Sequence, residues 1–167
     1  ANGRPITVPS QEMILGLYYL TYAPVLSVRK KSDEGEGSTV EIADLWNAES
    51  RKFELSRGYE AKSDGGEWST KPFGDRAAPR AFGGAENVLI ALDQRAVGLQ
   101  DLIEVRNGDG TRRITTPGRV IFNHSVRQAL VDVVGEAELE TSPFPERHEV
   151  LTKRQTADFI EDLVNVY

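Results

Sequence analysis

Two short stretches hold the residues best suited to chemistry. The first is Pro9-Ser10-Gln11-Glu12, at the head of an apolar run that continues through Met13, Ile14, Leu17 and Tyr18. It sets a polar Gln11-Glu12 pair in the first turn of an otherwise apolar helix. A helix N-terminus offers free N–H groups and the positive end of the helix dipole. Gln11 adds a donor and an acceptor, so such an end suits a phosphate-rich cavity; a plain capped core helix fits the same residues. The second stretch is Thr115-Thr116-Pro117-Gly118-Arg119-Val120-Ile121-Phe122-Asn123. Here Pro117-Gly118 reads as a tight turn presenting Arg119 beside a short apolar strand, 120–122. An arginine held on a rigid turn suits phosphate contact, and pairing to a nearby carboxylate suits it as well.

Little else points to a self-contained active site. The chain contains neither a G-x-G-x-x-G nor a G-x-x-x-x-G-K-[ST] loop, and no G-x-S-x-G elbow. Of the 26 acidic residues, none form a tight cluster of the kind that holds two magnesium ions. Asp93, Asp101 and Asp109 fall on a helix, a strand edge and a hairpin turn, where surface roles are expected. Cysteine is absent, which excludes disulfides and thiolate zinc sites within these residues. His124 and His148 are too far apart for a metal-binding pair, and His124 reads as a polar group at a strand–helix junction. No metal site is expected. The net charge of −6 argues against a free-standing nucleic-acid binder. The basic clusters Arg29-Lys30-Lys31 and Arg112-Arg113 read as solvated surface. No apolar run is long enough to span a bilayer, so no membrane partner is expected.

These residues must be positioned by elements legible in the periodicity. Residues 5–8 read as an extended piece. Ser10 is the expected N-cap of the first helix, with Pro24 at its exit; Gly16 inside it suggests a close backbone approach. Residues 30–38 read as a polar, glycine-rich link. Short strands are expected at 39–42, 52–55 and 67–71, with Asp64-Gly65-Gly66 a turn. Trp46, Phe53, Tyr59, Trp68 and Phe73 could form a satellite core. A helix is expected over 85–96, its face lined by Ala85, Val88, Leu89, Leu92 and Ala96, with Gly98 as its terminator. Strands at 102–105 and 111–115 flank the hairpin signal Asn107-Gly108-Asp109-Gly110. A helix follows over 125–134, and Pro143 and Pro145 break the chain. Thr152, with Gln155 three residues on, opens a last helix striped by Phe159, Ile160, Leu163, Val164 and Tyr167. The class is α+β: helices packed on short antiparallel strands, with a small β-rich insertion. The absence of a starting Met and an apolar stripe running to the last residue suggest an internal piece of a longer chain.

The two polar stretches carry a resemblance. Residues 1–12 together with Gly16-Leu17-Tyr18-Tyr19-Leu20-Thr21 resemble the segment that follows the catalytic double-psi barrel in the bacterial RNA polymerase beta-prime subunit. Residues 98–106 resemble its next helix-to-strand passage. Thr115 to Asn123 resembles its T-T-x-G-R-x-I-F-N motif, and residues 150–167 resemble its passage toward the secondary-channel rim. Glu12 stands where the family usually has Asp, which keeps the charge on a longer arm. The resemblance implies a division into a pore-region strand and helix (1–28), a lineage-specific insertion (29–80) and the remainder of the pore region (81–167).

It implies further that Gln11, Glu12 and Arg119 face or stiffen the active-site side of a pore. Incoming nucleoside triphosphates and the RNA 3′ end would pass there. The chain would bind no cofactor itself, magnesium being held elsewhere in the whole enzyme, and it would be inactive alone because the metal-binding aspartates lie outside it. Its partners would be the rest of the largest subunit and the other polymerase subunits, in the cytoplasm and near the nucleoid. Two further readings compete. In one, the insertion docks transcription factors through an exposed aromatic patch. In the other, the chain is free-standing and non-catalytic.

Overall fold

The computed structural model describes residues 10–33, 35, 37–62, 66–70, 78–143 and 145–167. The class is α+β as expected, and the chain divides into two compact units. One unites the first helix with Gly118–Tyr167; the other lies within Ala23–Pro117.

In the first unit, helix α1 spans Gln11–Thr21, and the Ser10 hydroxyl accepts a hydrogen bond from the Met13 N–H, the expected cap. The close approach expected at Gly16 is not found: a Cβ there would meet nothing within 4 Å. The reason is orientation. Leu17, Leu20 and Thr21 face the core, while Leu15 and Tyr19, beside Gly16, are exposed.

The expected turn and strand at 116–122 are also corrected. Pro117 opens a helix that runs Pro117–Val134, hereafter α3. Proline is at home in a first helical turn, where its missing N–H is not needed. The Val120-Ile121-Phe122 run looks strand-like locally. The longer period decides otherwise, because Arg119, Phe122, Asn123 and Val126 recur at i, i+3, i+4 and i+7 on one face. His124 therefore lies inside α3 and not at a strand–helix junction.

After Gly135, at φ 87°, a short helix not anticipated from sequence, α4, spans Glu136–Thr141. The last helix, α5, spans Lys153–Val166, with Thr152 accepting from the Gln155 N–H as expected. The core joins Phe122, Leu151 and Phe159, with Leu17, Leu20, Val126 and Leu163 packed against it. The Phe122 and Phe159 rings stand 5.2 Å apart and tilted. Val164 is exposed, so the apolar stripe of α5 is narrower than its sequence suggests.

The second unit holds the strands. Strand β1 (Val25–Lys30) is central in a four-stranded antiparallel sheet with β2 (Ser38–Glu41), β5 (Tyr59–Lys62) and β6 (Trp68–Ser69), in the order β2-β1-β5-β6. The end of β1 replaces the start of the expected polar link. Its Arg29 is neutralised by Glu60 across the sheet at 2.8 Å and stacks on Trp68 at 4.0 Å, so a basic residue fits a strand here. A 3-10 turn, Ile42–Leu45, leads to the hairpin of β3 (Trp46–Asn47) and β4 (Lys52–Phe53). Trp46 meets Phe53 edge-on at 5.0 Å. Trp46, Phe53, Tyr59 and Trp68 are all half-buried, and the buried centre is made by Ile42 and Ala61. The expected extended piece at 5–8, Asp64 and Gly65 of the expected turn, Lys71 and Phe73 lie outside the described residues.

A third sheet joins β7 (Arg80–Phe82), β8 (Ile103–Arg106) and β9 (Arg112–Thr115). The β7–β8 pair is parallel, a departure from the all-antiparallel expectation. Helix α2 (Ala85–Asp93) supplies the crossover that parallel strands require. It ends earlier than expected: Arg95, at φ 58°, takes the left-handed position, and the Gly98 N–H instead donates to Asp101 Oδ2 at 2.7 Å. The hairpin between β8 and β9 turns at Asn107-Gly108-Asp109-Gly110 as expected, with Gly110 at φ 87°. Asp109 accepts from the Thr111 hydroxyl at 2.6 Å and its N–H at 2.9 Å. These bonds hold its carboxyl below the usual aspartate range.

Phe159→Ala should destabilise the first unit by about 3–5 kcal/mol in urea denaturation. For Asp109 the folded pKa is depressed, so its contribution is present above the ordinary value and lost as pH falls through the folded one. An NMR titration of the Thr111 amide should therefore show a midpoint below about 3.9.

Candidate functional site

The polar residues singled out by the sequence do not converge. Gln11 and Glu12 are exposed in the first turn of α1, where free N–H groups and the dipole favour negative partners. Arg119, in the first turn of α3, meets the other end of α1, 1% exposed and turned inward. Its Nε donates to the Thr21 carbonyl at 2.8 Å and its Nη1 to the His148 carbonyl at 2.7 Å. Ten residues of helix, about 15 Å of rise, separate Gln11 from Thr21.

Around Arg119 lies a polar core that sequence reasoning missed. The Thr21 hydroxyl donates to the Leu17 carbonyl at 2.6 Å and accepts from the Leu151 N–H at 2.7 Å. Asn123, one turn beyond Arg119, donates through Nδ2 to the carbonyls of Arg119 and Arg147, and its Oδ1 accepts from the Arg147 N–H at 2.9 Å. These bonds fasten α1, α3 and the segment before α5 to each other, and they satisfy backbone groups of Thr21, Arg147, His148 and Leu151 at a helix end and in a loop. Arg147 then pairs outward with Asp162 and, at 3.5 Å, with Glu149, while stacking on Phe159 at 5.5 Å. The only hint in the sequence was Asn123 placed four residues after Arg119.

A guanidinium with two backbone carbonyls as partners is a positioning group. Its planar fork fixes two chain segments at once and leaves that face of α1 rigid. The α1 first turn, by contrast, is open to solvent.

Among the described residues of the second unit are clefts of about 380, 240 and 190 Å³. The largest is lined by Phe53, Pro79, Leu102 and Ile103, with Arg80 and Asp101 at its polar side. Asp93, Asp101 and Asp109 are at the end of α2, before β8 and in the hairpin, as expected of surface carboxylates. Among the described residues no group of three or more His, Asp or Glu side chains could hold a metal ion, and no helix is long and apolar enough to cross a membrane.

An α+β segment organised about a buried arginine is the class that the geometry defines. No protein-family model matches the chain. It is 30% identical over 166 residues to the DNA-directed RNA polymerase subunit beta-prime of Salinibacter ruber, covering 96% of this chain and 8% of that protein. The corresponding subunit of Thermus thermophilus is 30% identical over 132 residues, covering 79% of this chain and 8% of its own. That of Caldicellulosiruptor saccharolyticus is 26% identical over 174 residues, covering 100% of this chain and 11% of its own. The chain thus spans about a tenth of the length of the curated relatives it matches. It belongs to the DNA-directed RNA polymerase beta-prime family, as a segment of that subunit.

Arg119→Ala should cost about 3 kcal/mol or more, because it leaves the Thr21 and His148 carbonyls unpaired in a buried site. Arg119→Lys should recover less than half of that loss, since a single ammonium cannot span both carbonyls in the fork geometry. Thermal unfolding of both variants checks this.

Proposed function

We propose that the chain forms part of the wall of the pore, or secondary channel, through which nucleotides reach the active site of a DNA-directed RNA polymerase, and that it supports the catalytic barrel beside it. The observation that carries this reading is that α1 is clamped at its C-terminal end by Arg119 and offers Gln11 and Glu12 to solvent at its N-terminal turn. A rigid helix with a polar, dipole-positive tip suits a wall past which triphosphates travel. Arg119 on this reading stiffens the wall from behind and does not touch nucleotide.

The whole enzyme would join nucleotides by metal-assisted attack of the RNA 3′-hydroxyl, with pyrophosphate leaving. Its magnesium would be held by residues outside this chain, and no step of that chemistry is assigned to residues described here. The segment alone would therefore be inactive, and its partners would be the rest of the subunit and the other polymerase subunits. Docking of transcription factors on 29–80 gains no support from Trp46, Phe53 and Trp68, which are half-buried and already paired with Phe53, Trp46 and Arg29 respectively.

The test is steady-state RNA synthesis by the fully assembled polymerase carrying Gln11→Ala. The expected result is a rise of about two- to tenfold in the KM for nucleoside triphosphates, the worth of one hydrogen bond, with kcat little changed. Unchanged KM and kcat would remove α1 from the nucleotide route.

A further inference from the structure

The 240 Å³ cleft on the second unit is lined by Ala81, Phe82, Gly83, Glu104, Arg106 and Arg112. Its charges are unusual for a chain of net charge −6. Arg106 and Arg112 are direct cross-strand partners on β8 and β9, so their side chains leave the sheet on the same face. Like charges placed so oppose strand pairing. One carboxylate answers them: Glu104, two residues before Arg106 on β8 and so on the same face, is 3% exposed. It pairs with Arg112 at 3.3 Å and also with Arg51 at 3.1 Å. Arg51 reaches it from the β3–β4 turn, where it is held at φ 56°.

Glu104 is thus shared by two guanidinium groups and is enclosed. Arg106 is exposed and makes no ion pair among the described residues. The cleft is lined by two arginines and one carboxylate, and that carboxylate is shared with Arg51 from outside the lining, so the cleft keeps an excess of positive charge. Opposing like charges cost stability in the unliganded sheet, and an anion seated between Arg106 and Arg112 relieves that cost. The cleft is large enough for a phosphate or diphosphate group, small beside a drug-sized ligand site, and Gly83 at its rim lets backbone approach closely.

We infer that this cleft is an anion site for phosphate groups, with Arg106 and Arg112 as the ligating pair and the Glu104–Arg51 pairing holding Arg112 in place. It does not depend on the pore reading. A free nucleotide or pyrophosphate and a nucleic-acid backbone present the same phosphate chemistry, and the probes below tell the two sources apart.

The test uses the assembled polymerase, wild type against Arg106→Ala and Arg106→Glu. Pyrophosphate and a labelled single-stranded oligothymidine are titrated as separate probes at low and high salt. The expected result is that Arg106→Ala weakens at least one probe about tenfold and Arg106→Glu weakens it further. The loss should come with a flatter dependence on salt, because one phosphate contact has gone. Loss for pyrophosphate alone identifies a free phosphate source, and loss for the oligonucleotide alone identifies a backbone. A second readout guards against misfolding: relief of the Arg106–Arg112 opposition should leave Arg106→Ala at least as stable as wild type in thermal unfolding. Unchanged affinity for both probes in both variants overturns the inference, as does a drop in stability that accounts for the lost binding.

Discussion

The fork of Arg119 across two backbone carbonyls is the interaction on which the first unit depends. A guanidinium enclosed to 1% exposure is tolerable only because its donors are answered where they point. Once they are, the cation becomes a bracket. It ends α1, begins α3 and fixes the segment that leads into α5. The apolar cluster of Phe122, Leu151 and Phe159 supplies the driving force for collapse, but apolar contacts alone are compatible with several registers of helix on helix. The hydrogen bonds of Arg119, Thr21 and Asn123 select one of them.

Much of this was legible in the sequence, and the failures have a pattern. Ser10 and Thr152 announced two helix starts because capping is chemistry local to four residues. The Asn107 to Gly110 hairpin was equally local. The errors came where a short signal competed with a longer one. Thr116-Pro117-Gly118 carries the composition of a turn, and Val120-Ile121-Phe122 that of a strand. Only the spacing from Arg119 to Val126 shows that proline begins a helix. Gly98 looked like a helix terminator, yet α2 stops when Arg95 takes the left-handed conformation, an event that residue type does not announce.

The candidate site was half legible for a related reason. Gln11 and Glu12 could be singled out because a polar pair heading an apolar helix is visible without any fold. Arg119 was found for its type and its flanking motif, but the direction of its side chain was not available from either. Its partners include the carbonyl oxygens of Thr21 and His148, and every residue has one of those. Likewise Glu104 gives no sign in sequence of being enclosed. Its neighbours in space, Arg51 and Arg112, are 53 and 8 positions away along the chain.

The path of the chain through the first unit has a kinetic consequence. Thr21 and Arg119 touch although they are 98 positions apart in sequence, and the stretch Ala23–Pro117 between them belongs to the second unit. For a flexible loop of that length the length-dependent part of the closure entropy is about 4 kcal/mol. A second unit that folds first removes most of that freedom in advance, since its own contacts shorten the slack between Ala23 and Pro117. In that case the strand-rich unit would act as an internal template, and the order of events would run from the middle of the chain outward. Slow-forming β pairing in the middle would set the pace for the helices at either end.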